Sequence, residues 1–218
     1  MKKGWLLFFL AAVLAGCKTA KVAPPPARNR ELVLMPAELN AISIQEKLTR
    51  YDELMLAYSV SVLNEKNELI STAHMAWGVQ KARKGDRFDV FQPVKVEVPP
   101  GARIVATAVL MEIEDYSKAQ KLVGQIRKYT GMAGSAAALL EVGELTNPIG
   151  YLVMSLQAAG IALDHSDKLD ANDVLGTWSL SRKEEELVTG VVHIPVRFEK
   201  SARFDNYRYD VKFRVSVR

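Results

Sequence analysis

Cys17 is the only thiol in this 218-residue chain, and four aspartates, Asp164, Asp167, Asp170 and Asp173, gather in one short stretch. These are the residue types with spacing suited to chemistry. A cysteine sulfur is a nucleophile that forms thioethers. Clustered carboxylates present hard oxygen atoms on a short length of chain. A smaller acidic group, Glu112, Glu114 and Asp115, lies far upstream of the aspartate stretch. His74 and His193 fall within alternating apolar stretches and read as structural residues. Glu184, Glu185 and Glu186 read as a solvated turn. No Gly-x-Ser-x-Gly, His-Glu-x-x-His, phosphate loop or dinucleotide glycine pattern occurs. The expectation is therefore a protein without enzymatic activity.

The first residues say what the thiol is for. Met1-Lys2-Lys3 precedes an apolar run from Trp5 to Leu14, and Ala15-Gly16-Cys17 follows. A short positive region, an apolar core and a small-residue cleavage site make a secretory signal peptide. The run is shorter than the roughly 20 apolar residues that span a bilayer. Leu14-Ala15-Gly16-Cys17 resembles the bacterial lipobox. That resemblance implies diacylglycerol on the Cys17 sulfur, cleavage before Cys17 and acylation of the new amino group. Lys18 in place of aspartate resembles the pattern of outer-membrane sorting in enteric bacteria. Membrane lipid is thus the first expected partner, through two or three acyl chains worth about 0.8 kcal/mol per buried CH₂.

The formal net charge is +4, leaving about +2 once Lys2 and Lys3 depart with the signal. No basic stripe with interleaved aromatics appears, which argues against nucleic acid. Residues 18–30 carry Pro24-Pro25-Pro26 and no apolar periodicity, so they read as an extended tether.

The rest of the chain must position the carboxylates. Leu54, Leu56, Tyr58, Val60 and Val62 alternate with smaller or polar residues, which predicts a strand with one apolar face. Leu69 to Trp77 predicts its neighbour across a turn at Asn64-Glu65-Lys66-Asn67. Phe88 to Val98 reads as extended, and Pro99-Pro100-Gly101 as a turn. Ile104 to Ile113 is apolar on both faces, which predicts a central, doubly covered strand. Val188 to Phe198 and Tyr207 to Val217 alternate again. Between these strands, residues 117–163 change period. Ala119, Leu122, Val123 and Ile126 recur at helical spacing, and Pro148 sits where a new helix can start. Two or three inserted helices are expected. Gly131 to Ala138 is rich in small residues, and Gly150 to Leu163 is nearly uncharged. The helices read as a cap packed on one end of the strands, with membrane insertion or partner docking as alternatives.

Asp167-Lys168, Asn172-Asp173 and Leu175-Gly176 resemble the third top loop of C2 and C2-like domains, where the glycine begins the next strand. This resemblance spans about 52–115 and 164–218. It implies a mainly β, C2-like antiparallel β-sandwich with an inserted two- or three-helix subdomain. Two threadings fit. Either the loop lies wholly within 164–176, or Ile104 to Asp115 is the preceding strand and the helices interrupt the loop; the second is preferred. The resemblance implies calcium, which takes six to eight oxygens, from Asp115, Asp164, Asp167, Asp170 and Asp173. It assigns the first top loop to Asn64-Glu65-Lys66-Asn67-Glu68, which has no aspartate. A solvated acidic turn in a metal-free C2-like fold is the alternative, and the favoured one.

The expected organisation is a signal peptide over 1–16, lipidated Cys17 and tether over 17–30, and a sandwich over 31–218 with the insertion at about 117–163. The expected role is a binding or assembly module tethered to the cell envelope, with a protein partner there. The alternatives are a calcium- or phospholipid-binding module, and an outer-membrane anchor component of a secretion system. The type VI secretion lipoprotein is similar in layout.

Overall fold

The computed structural model describes residues 28–45, 50–113, 174–202 and 206–218. The signal, Cys17, most of the tether, the 117–163 insertion, and Asp115, Asp164, Asp167, Asp170 and Asp173 lie outside the described residues.

Among the described residues, nine antiparallel strands form two sheets. They are β1 (Arg30–Ser43), β2 (Asp52–Leu63), β3 (Leu69–Ala82), β4 (Arg87–Phe88), β5 (Val94–Val98), β6 (Arg103–Glu112), β7 (Val174–Lys183), β8 (Gly190–Ser201) and β9 (Asn206–Val217). Sheet A runs β4-β1-β9-β8, with β5 also paired to β1. Sheet B runs β3-β2-β6-β7. The fold is thus mainly β, two antiparallel sheets packed face to face, as the alternation predicts.

The core between the sheets comes from that alternation. Leu54, Leu56, Tyr58 and Val60 of β2 meet Tyr209, Val211 and Phe213 of β9. Trp178 stacks on Phe213 with ring centroids 4.9 Å apart. Val96 and Val98 of β5 close the same core, while Lys95 and Glu97 between them face water. Turn chemistry follows the sequence too. Gly101 takes φ +74°, and the Ala102 amide donates to the Pro99 carbonyl at 3.1 Å.

Three elements differ from expectation. β1 has no counterpart in the sequence reading. Its inward residues change phase, from Leu32 and Leu34 to Leu39 and Ala41, across an irregularity between Pro36 and Glu38. One extra residue there breaks the period of two and hides the strand. β2 is buried on both faces, not one, since Met55, Ala57, Ser59 and Ser61 are each 0% exposed. Phe88 to Val98 is divided, with β4 and β5 separated by residues 89–93, which include Pro93.

Candidate functional site

Two regions of the described residues concern function. One is the end of sheet B from which the acidic segment departs; the other is a cleft at the β3 edge.

β6 and β7 are paired neighbours, with Met111 opposite Val174. The chain therefore leaves after Ile113 and returns at Val174 on adjoining strand ends. β6 thus precedes the stretch 114–173, which itself lies outside the described residues. Leu175 and Gly176 are the second and third residues of β7. Gly176 there lies against Phe198, and a Cβ would meet the Phe198 ring at 2.5 Å. The assignment of the first top loop is corrected. Asn64 to Glu68 joins β2 to β3 beside Arg103 and Lys183, at the opposite end of the sheet. Antiparallel pairing puts a β2–β3 turn beside the start of β6, and short motifs do not carry that information. Asn64 serves the turn itself, its Oδ1 accepting from the Lys66 and Glu68 amides at 2.9 Å.

At the acidic end, the described carboxylates are engaged. Asp52, fully buried, accepts hydrogen bonds from the Tyr209 hydroxyl and, at 2.7 Å, from the Gln45 amide. Burial, and then the hydrogen bond to Asp52, pushes the Tyr209 phenol far above its usual range. The pair fastens β2 to β9 across the two sheets. Asp86 accepts from the Arg83 amide at 2.8 Å, and Glu53 faces Lys81 at 3.7 Å. Among the described residues no three His, Cys, Asp or Glu side chains gather closely enough to hold a metal ion.

The cleft lies between β3 and the β4–β5 loop and encloses about 370 Å³. Tyr58, Met75, Trp77 and Phe88 form its walls, with Val90, Gln80, Arg87 and Asp89 around its mouth. Trp77 meets Phe88 edge-on at 4.9 Å and Phe91 at 5.1 Å. The Tyr58 hydroxyl donates to the Gln92 carbonyl, which fixes the ring and the loop together. Arg87 is held by Glu38 at 2.9 Å. The Asn40 amide, then Arg87 and Lys212, hold the Glu38 carboxyl below its ordinary range. Gly78, next to Trp77, has φ +119°, and a Cβ there would sit 2.5 Å from the Leu54 carbonyl oxygen, so only glycine fits. The sequence shows Trp77, Phe88 and Phe91, but not that a hairpin and a loop bring them together.

His74 and His193 both lie in strands, as the alternation predicts. His74 is buried in β3, 1% exposed, and burial pulls its pKa down to about 4. His193 is exposed on β8. Glu184 to Glu186 form one 3-10 turn, and Glu184 pairs with Arg30 at 3.4 Å.

No family model matches this chain, and no curated protein matches it. Among solved structures, it is similar to a C2 domain of a plant extended synaptotagmin 1. The likeness has a TM-score of 0.37 and 12% identity, over 89% of this chain and 97% of that one. So loose a likeness carries nothing about function. No helix among the described residues is long and apolar enough to cross a membrane.

Proposed function

We propose that this chain is a lipid-anchored module of a bacterial envelope, held by Cys17, that binds a protein partner through the Trp77 cleft. The cleft carries the reading. Its aromatic walls and polar mouth are the composition that small binding sites share, and about 370 Å³ lies at the low end of their size range. One aromatic or branched side chain of an extended partner segment fills such a space. Gln80, Arg87 and Asp89 then fix the segment's polar groups. Val90, 81% exposed at the mouth, supplies apolar area that gains only from being covered.

The test is proximity capture of envelope proteins by the native lipoprotein, compared with Val90→Asp and Phe88→Ala. Val90→Asp should leave the melting temperature unchanged and remove the captured partner. Undiminished capture by both variants would refute the cleft.

A calcium- or phospholipid-binding C2-like module is the second reading. It draws on the strand order β6, acidic segment, β7, and on Leu175 and Gly176 standing at the second and third positions of β7. Millimolar calcium should then raise the melting temperature by linkage, and Asp167→Asn with Asp173→Asn should abolish the rise. No rise would end this reading.

A further inference from the structure

The two sheets differ in what they turn away from the core. Sheet A presents charge: Arg197, Glu199, Arg208, Asp210, Lys212 and Arg214 stand on its outer face. Arg197 and Arg208 both reach Asp210, at 2.9 and 2.8 Å. That is a solvated face. Sheet B presents none over the middle of three of its four strands, β3, β2 and β6. Ala57, Ser59 and Ser61 of β2 and Val105, Thr107 and Val109 of β6 are uncharged and at most 4% exposed. Thr72 and His74 continue the row on β3, equally buried. None of these residues belongs to the core between the sheets. Their hydroxyls satisfy one another within the face. Ser59 and Thr107 lie 2.7 Å apart, and Ser61 and Thr72 3.3 Å.

Every described strand belongs to one of the two sheets, and sheet A lies on the other side of this face. A sheet face that is uncharged and buried requires a further layer. The covered area has a boundary: on β7 the outward Thr177, Ser179 and Ser181 are exposed. The cover therefore spans three strands, about 10 Å at ordinary strand spacing, and stops before the fourth.

We propose that this face docks the chain's own segment 114–173, so that sheet B is the middle of three layers. The segment leaves β6 at Ile113 and rejoins at Val174, and both positions adjoin the covered face. Its sequence supplies the matching surface. Leu122, Val123 and Ile126 recur on one side, and Gly131 to Ala138 is small enough to lie close over serines and threonines. Sequence alone places this segment as a cap on one end of the strands; the buried face moves it to the broad side of sheet B. This docking is independent of the Trp77 cleft.

Photo-crosslinking of the full-length lipoprotein in detergent tests it. A photoreactive residue at Thr107 should give adducts within 114–173 of the same chain, with mixed isotope labelling separating intrachain from interchain products. The same group at exposed Ser179 should give far fewer. Peroxide footprinting is the second arm. Met55 and Met111, 0% and 3% exposed, should oxidise at least tenfold more slowly than Met35 on the outer face of sheet A. That protection should survive dilution. Adducts from Thr107 to a second copy or another protein, or none to 114–173, would overturn the proposal. So would oxidation of Met55 and Met111 at the Met35 rate.

Discussion

His74 shows how a single buried side chain ties stability to pH. Burial lowers its pKa to about 4, against an ordinary 6.5. The unfolded chain therefore takes up the proton first. The stabilising effect is complete above about pH 6.5 and is lost as pH falls toward 4, by about 3 kcal/mol in all. Urea unfolding at pH 7 and pH 4.5 should show the loss, and His74→Leu should flatten that part of the profile. At Gly176 the constraint is lack of space. A methyl there would press on Phe198 at 2.5 Å, so Gly176→Ala should cost about 1–3 kcal/mol, read as a lower melting temperature. That His74 sits in a strand was legible from alternation. Its burial was not, because burial depends on what covers the face, and nothing local encodes that.

At the scale of elements, the buried Asp52–Tyr209 pair joins two strands that are distant in sequence and lie in different sheets. Tyr209→Phe removes a donor from a buried carboxylate, which should cost about 1–3 kcal/mol. In a double-mutant cycle with Asp52→Asn the two losses should fall short of adding. Purely additive losses would show that the pair does not act as one unit. Strands with an uninterrupted period of two, such as β2 and β9, were legible from sequence, and β6 was legible from its continuous apolar run. β1 was not, because its bulge near Pro36 shifts the phase halfway along. The start of β7 was legible to within two residues because Leu175-Gly176 resembles a strand start. Which loop shares that end of sheet B was not, because the end a loop occupies follows from strand pairing. The Trp77 cleft was hidden for the same reason: Tyr58, Trp77 and Phe88 come from three strands.

On the scale of the whole molecule, β1 is fixed at its start by one firm point. Arg30 at the start of β1 donates to the Glu184 carbonyl at 3.1 Å and to Thr189 at 2.9 Å. This anchors the N-terminal strand at the end of the sandwich opposite Ile113 and Val174. If the proposed lipid anchor is present, a pull from it would load β1, which is held between β9 on one side and β4 and β5 on the other. The proposed docking of 114–173 on sheet B has its own consequence here. Deleting 117–163 should bare the outer face of sheet B, lower the melting temperature and drive self-association, seen by light scattering. Loss of a partner in that deletion would therefore say nothing about the Trp77 cleft, whereas Val90→Asp addresses it directly. The lipid anchor proposed at Cys17 would give the cleft its place, beside a bilayer and within reach of envelope partners. Intact-mass and peptide analysis of the protein purified from its native membrane tests that placement most directly. The predicted result is a mature chain starting at Cys17, with diacylglycerol on the sulfur and an acyl group on the amine. An unmodified Cys17, or a mature N-terminus anywhere else, would contradict it.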